Sequence, residues 1–220
     1  MTSAPSAGDA RRLAAASLAA GDPTGWFEQL YAASRSGQAE VPWDVPAPSA
    51  HLQSLDLPAG DGRRALVVGC GPGRDAEYVA ALGYRVTAFD ISATAIDLAR
   101  ERHPGTPVDY RVADLLAPPT DWRRAFDLVL ESNNVQALPT AIRAAAIHTV
   151  GTFVAPGGTL IVLAAATVRT DSGGDGPPWP LTRAEIDTFA GDGLQPVSVD
   201  NVGAAGTTLP TRWRAVFTRP

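Results

Sequence analysis

Two hydrophobic rhythms divide this chain. From Arg64 onward, short apolar runs alternate with stretches whose apolar residues fall three and four apart, the pattern of strands alternating with amphipathic helices. Ala65-Leu66-Val67-Val68 is apolar at every position and runs straight into glycines, so it reads as a strand buried on both faces. Further strands are predicted over residues 85–89, 108–112, 126–130, 159–165, 195–201 and 211–218. Helices are predicted over 75–82, 93–102, 140–154 and 183–190, with Pro156-Gly157-Gly158 as the turn into the fifth strand. Repeated βα units call for a mainly parallel sheet with right-handed crossovers and helices on both faces.

The first sixty residues have a different texture. Residues 1–8 are small and polar and are expected to be loose. Asp9 is the expected cap of a helix over residues 10–20, stopped by Gly21-Asp22-Pro23. Thr24 is the expected cap of a second helix over 25–34, with Trp26, Phe27, Leu30 and Tyr31 at helical spacing. A proline-marked loop over 41–48 follows, then a short helix over 51–55. No internal repeat is visible.

Composition narrows the function classes. At 220 residues and 45% apolar content, one α/β domain with a short extension has room for a full core. The net charge is −5 and every basic residue is an arginine, scattered with only short doublets, so the basic stripe of a nucleic-acid binder is absent. No apolar run approaches the roughly 18 residues of a membrane span. Arg11-Arg12 followed by an alanine-rich stretch imitates a secretion signal, but its apolar part is short and reads better as a helix. The single cysteine, Cys70, excludes an intrachain disulfide and fits a reducing, cytoplasmic setting.

The chemistry is concentrated at strand ends. Gly69-Cys70-Gly71-Pro72-Gly73 forms the first strand-to-helix turn, where missing Cβ atoms allow the turn and a close ligand approach. Asp90 ends the second strand, 21 residues after Gly69, in the register that sets a carboxylate against the ribose of a nucleoside cofactor. The spacing is G-x-G-x-G, with Arg74 where the last glycine of a dinucleotide site would fall, which argues against a pyrophosphate. A lysine-dependent phosphate loop is impossible here.

Together, Gly69 to Asp75, Asp90-Ile91, Asp114-Leu115 and the run from Phe126 to Glu131 resemble the ordered motifs of class I S-adenosylmethionine-dependent methyltransferases. The resemblance covers about residues 60–165. It implies a Rossmann-like sheet of seven strands with an antiparallel last strand, S-adenosylmethionine as cofactor and a small-molecule acceptor. It also implies site roles. The glycine turn with Cys70, Asp90 on the ribose, Ile91 beside the adenine, Asp114 at its amino group with Leu115 nearby, and Glu131 leading to the sulfonium would hold the cofactor.

A second likeness runs through Trp26, Tyr31, Pro42-Trp43-Asp44, Pro48 and Leu52, and through Gly176-Pro177-Pro178-Trp179. It is similar to the N-terminal segment and late substrate loop of thiopurine, thiol and halide methyltransferases. In those enzymes N-terminal aromatics close over the cofactor, which casts residues 1–58 as an extension covering the site and 59–220 as the cofactor domain. Pro46 departs from the glycine common there.

For the acceptor side, Ser132, Asn133, Asn134 and Gln136 form a polar row, with Asn133 and Asn134 placed to orient a substrate. His51 is the one histidine suited to act as a base; His103 and His148 read as structural. The segment from Glu131 to Pro139 lacks the paired prolines and aromatic ring of nucleobase and glutamine methyltransferases. No histidine, cysteine or carboxylate group has metal-ligand spacing. The lack of a strong base favours a thiol or other soft acceptor. Alternatives are a natural-product O- or N-methyltransferase, an NAD-dependent oxidoreductase and a non-catalytic cofactor-binding partner. A monomer or homodimer is expected.

Overall fold

The computed structural model describes residues 8–167, 176–203 and 211–220. Among these, the chain runs α1 (Gly8–Ala19), α2 (Gly25–Arg35), α3 (Ala50–Gln53), β1 (Arg64–Val68), α4 (Arg74–Ala81), β2 (Arg85–Asp90), α5 (Ala93–Arg102), β3 (Asp109–Val112), β4 (Phe126–Ser132), α6 (Thr140–Thr152), β5 (Val154–Ala165), α7 (Arg183–Asp187), β6 (Gln195–Val202) and β7 (Arg212–Thr218). The expected looseness of the first residues and the start of the 170–180 loop fall outside the described residues.

The seven strands form one sheet in the order β3-β2-β1-β4-β5-β7-β6. β1 lies inside the sheet, parallel to β2 and β4, while β7 runs antiparallel to both β5 and β6. The expected Rossmann-like sheet with an antiparallel last strand is therefore present.

Strand alternation explains the two cores. Leu66 and Val68 join Phe89, Val129, Leu160 and Val162 on one face, with α1, α2, α6 and α7 packed there through Ala14, Leu30, Val150 and Ile186. Ala65 and Val67 join Val86, Leu128, Leu130 and Ile161 on the other, against Leu52 of α3, Val79 of α4 and Ile96 of α5. A side-chain period of two on a doubly covered sheet requires this apolar run.

Local details differ from expectation where tertiary contacts decide. α1 starts at Gly8, and Asp9 sits inside its first turn, paired with Arg12. Thr24 holds the cap position of α2 without a side-chain bond. Asp22 does that work instead, accepting the backbone N–H groups of Thr24 and Gly25. α6 stops at Thr152, and β5 begins at Val154, carrying the Pro156-Gly157-Gly158 segment as an irregularity opposite Asp127. The last predicted helix tightens into a 3-10 turn at Thr188–Ala190.

The N-terminal segment is fastened to α5. Glu28 accepts from the Ser92 hydroxyl (2.7 Å), the Thr94 hydroxyl (2.5 Å) and the Thr94 backbone N–H (3.1 Å), so a carboxylate from α2 caps the positive end of α5. Further along, Asp44 forms a two-pronged pair with Arg102 at 2.6 and 2.7 Å. The order of the sheet brings the ends of β1, β2, β3 and β4 to one edge, and the reversed β7 delivers its first residue, Arg212, to the same edge beside Ala165.

Candidate active site

A cavity of about 470 Å³ opens along that edge. Its floor is the turn after β1. Gly69, Gly71 and Gly73 all have positive φ (+56°, +52° and +92°), which L side chains rarely adopt. A Cβ on Gly71 would stand 2.8 Å from the Tyr31 hydroxyl, and one on Gly69 would collide with the Asn134 amide. The roof residue Tyr31 and the loop residue Asn134 thus close directly on the turn because it lacks side chains.

Asp90 stands beside this turn at 6% exposure. Its Oδ2 accepts the Gly71 N–H at 2.9 Å and its Oδ1 the Ser92 N–H at 3.0 Å. Burial pushes Asp90 up to about 6, against the pull of these backbone donors. Two backbone bonds occupy only half of the roughly four lone-pair sites of a carboxylate, leaving capacity for a pair of hydroxyl donors. Ile91, Ala113, Asp114 and Leu115 continue the wall, and Asp114 Oδ1 accepts the Leu116 N–H at 2.8 Å. An acceptor at one end and aliphatic side chains around it suit a purine ring with an amino group. The donor and acceptor set fits S-adenosylmethionine.

The roof comes from the N-terminal segment. Tyr31, Trp43 and Phe27 line the cavity, and the Trp43 indole N–H donates to the Tyr31 hydroxyl at 2.8 Å. Burial, reinforced by Asp90, holds the Tyr31 phenol well above its ordinary pKa, so it stays protonated. On the opposite side lie Ser132, Asn133, Asn134, Gln136, His51, Arg212 and Pro177-Pro178. Asn133 has φ +63° and accepts from Arg212 through its side-chain oxygen. Burial and the nearby Arg212 and Arg214 lower the pKa of His51.

Of the residues singled out from sequence, His51, Trp43, Gly69, Cys70, Gly71, Asp90, Ile91, Asp114, Leu115, Asn133 and Asn134 all line this one cavity. Three do not. Trp26 is wholly buried, stacked on Phe27 at 3.9 Å and edge-on to Trp43 at 6.0 Å. Residues 26 and 30 share the stripe of α2 that faces the core, whereas 27 and 31 share the stripe that faces the cavity. Gly73 lies behind the floor, where its missing Cβ admits the Tyr110 ring. Glu131 is buried inside the end of β4. Its Oε1 accepts the Asn134 and Val135 N–H groups at 2.8 and 2.9 Å and its Oε2 has no partner, so it shapes the loop after β4 from behind. Burial raises it to about 7.

Cys70 lines the cavity, but burial and Asp90 raise its thiol well above the ordinary value, which fits a space-filler and not a nucleophile. Among the described residues no group of three histidine, cysteine or acidic side chains could hold a metal, and no helix is long and apolar enough to cross a membrane. Two contributors escaped sequence reasoning. Arg212 gives no local signal beyond being a charge at a strand's start. Arg143, only 2% exposed, donates to Leu138 O (2.9 Å), Trp179 O (2.9 Å) and Glu185 Oε1 (2.7 Å), fixing two cavity walls at once.

Known proteins are similar to this chain in sequence and fold. Residues 65–158 match the family described as a methyltransferase domain. A probable thiol methyltransferase 2 from Arabidopsis thaliana is 30% identical over 195 residues, covering 82% of this chain and 84% of that protein. A solved structure from work on the conversion of a disulfide bond into a thioacetal group during echinomycin biosynthesis is 27% identical, with a TM-score of 0.67 over 88% of this chain and 93% of that one. The N-methyltransferase NodS from Bradyrhizobium japonicum, solved with S-adenosylhomocysteine, shares the fold at 21% identity, with a TM-score of 0.66 over 88% and 99% of the two chains. This chain is an enzyme that uses S-adenosylmethionine to methylate a small molecule, and it belongs to the S-adenosylmethionine-dependent methyltransferases.

Proposed function

We propose that the acceptor atom is sulfur, in a thiol that ionises near neutral pH. The observation that carries this reading is the state of the protonatable groups around the cavity. The carboxylates of Asp44, Asp75, Asp90 and Asp114 all accept hydrogen bonds from within the protein. That leaves His51, whose lowered pKa keeps it neutral but weakly basic at pH 7. Such a base can take the proton of a thiol; it is poorly matched to an alcohol. The likeness to a thiol methyltransferase supports the same reading.

When bound, S-adenosylmethionine supplies an electrophilic methyl group on a positively charged sulfur. Asp90 accepts the ribose hydroxyls, Asp114 the adenine amino group, and Ile91 and Leu115 flank the base. Residues 1–58 act as the roof: Trp43 offers its ring face to a cation, worth about 0.5–2 kcal/mol, and Tyr31 excludes water above Gly71. Asn133 and Asn134 orient the acceptor, and positioning of this kind supplies roughly 7–11 kcal/mol in favourable systems. NodS, an N-methyltransferase on the same fold, marks the alternative of a nitrogen or oxygen acceptor.

The test is turnover of methyl-labelled S-adenosylmethionine with thiophenol, phenol and aniline at equal concentration. Labelled product from thiophenol, with S-adenosylhomocysteine formed in step, is expected. Preferred methylation of phenol or aniline overturns the sulfur assignment.

A further inference from the structure

The charges lining the cavity are unequally satisfied. Two arginines and four aspartates reach it. Asp44 is paired with Arg102, and Asp75 takes both the Arg74 guanidinium (2.9 and 3.1 Å) and the Ser49 N–H. Asp90 and Asp114 hold backbone donors. Arg74 is thereby neutralised by its neighbour. Arg212 is not. Among the described residues its hydrogen-bond partner is the neutral side-chain oxygen of Asn133, and no carboxylate lies within ion-pair distance.

The carboxylate that attracts Arg212 electrostatically is Glu131. It is committed through Oε1 to the backbone of Asn134 and Val135, and burial raises it to about 7, so near neutral pH it carries only part of a charge. A guanidinium drawn out of water without a full partner is costly, and it presents five donors in a planar fork that matches a carboxylate.

We infer that Arg212 is the docking point for a carboxylate carried by the acceptor, apart from its reacting atom. This rests on the small-molecule methyltransferase reading and deepens it. The reacting atom itself is the poorer occupant. A thiolate gripped by a half-buried guanidinium would be stabilised before the transfer and gain nothing during it. A bidentate carboxylate instead fixes the acceptor's direction. The position suits the task, because Arg212 stands beside Asn133 on the acceptor side and away from Asp90 and Asp114, which serve the cofactor.

The experiment crosses two variables. Thiophenol and phenol are compared with their ring-carboxylated isomers, the mercaptobenzoates and hydroxybenzoates, in wild type and in Arg212→Gln and Arg212→Lys. In parallel, benzoate binding to protein saturated with S-adenosylhomocysteine is measured by calorimetry. At least one carboxylated isomer should exceed its parent about tenfold or more in kcat/KM. Arg212→Gln should erase that preference and Arg212→Lys keep part of it, while affinity for S-adenosylhomocysteine stays within about twofold. Equal or poorer use of every carboxylated isomer by wild type overturns the inference, as does a preference surviving in Arg212→Gln. Should the hydroxybenzoates win, Arg212 keeps its role and only the sulfur assignment fails. If neither nucleophile turns over, the benzoate titration decides, since wild-type binding lost in Arg212→Gln upholds the dock and equal binding refutes it.

Discussion

The Trp43 indole donates a hydrogen bond to the Tyr31 hydroxyl at 2.8 Å, and that same oxygen stands over Gly71. Two aromatic side chains from the N-terminal segment are thus joined to each other and stand over the glycine floor of the cavity. Gly71→Ala sets a methyl group 2.8 Å from the Tyr31 oxygen at a backbone angle of +52°. Calorimetry should find affinity for S-adenosylhomocysteine lowered at least tenfold, with Tyr31→Phe in the same chain recovering only part of it because the backbone strain remains. Unchanged affinity in Gly71→Ala would separate the turn from the cofactor.

Acidification should strengthen the fold while weakening cofactor binding. Burial raises Asp90 to about 6 and Glu131 to about 7, both above their unfolded values, so the folded protein holds more protons in this range. Their stabilising contribution is complete below the unfolded values and is lost as pH rises through about 6 and about 7. His51, with its pKa lowered, acts in the opposite sense as pH falls below its ordinary value. Comparing melting temperatures of wild type and Glu131→Gln isolates one group. The gap between them should widen from about pH 5 to about pH 8, and a pH-independent gap contradicts the assignment. Cofactor affinity, which needs Asp90 as an acceptor, should fall below about pH 6.

Removing Glu28 should loosen the roof before it unfolds the protein. Glu28→Ala leaves the first turn of α5 without three hydrogen bonds, a loss of about 1–2 kcal/mol typical of a helix cap. Hydrogen exchange in residues 25–35 should accelerate more than exchange in β1 and β4. A uniform acceleration would mean that the segment is no separate flap.

Arg143 ties two walls of the cavity together, so Arg143→Met should cost about 3 kcal/mol or more by leaving Glu185 and two carbonyl groups unmatched. Arg143→Lys should recover part of the stability. In the lysine variant KM for the acceptor should rise several-fold with KM for the cofactor unchanged; parallel changes in both would assign Arg143 to general packing.

Much of this was readable from the chain because the sheet is local in its logic. The unbroken apolar run of residues 65–68 and the glycine-to-Asp90 spacing each lie within one βαβ unit, and both appear in the structure where expected. Asp114 and Asn134 follow the same rule. What could not be read depends on which face of an element meets which neighbour. Trp26 and Phe27 are adjacent and both aromatic, yet one turns to the core and the other to the cavity, and the docking of α2 against α1 and α5 decides between them. Arg212 meets Asn133 across 79 positions of sequence, a pairing set by the antiparallel register of β7.

That reversed strand has an evolutionary reach. Because β7 runs against its neighbours, its opening residue arrives at the rim where the parallel strands finish, on a stretch of chain separate from the turns after β1 and β2. On the roles proposed above, donor recognition and recipient choice are written on different segments. With Arg212 as the proposed dock, exchanging the residues at the mouth of β7 would change the recipient without altering how the methyl source is held.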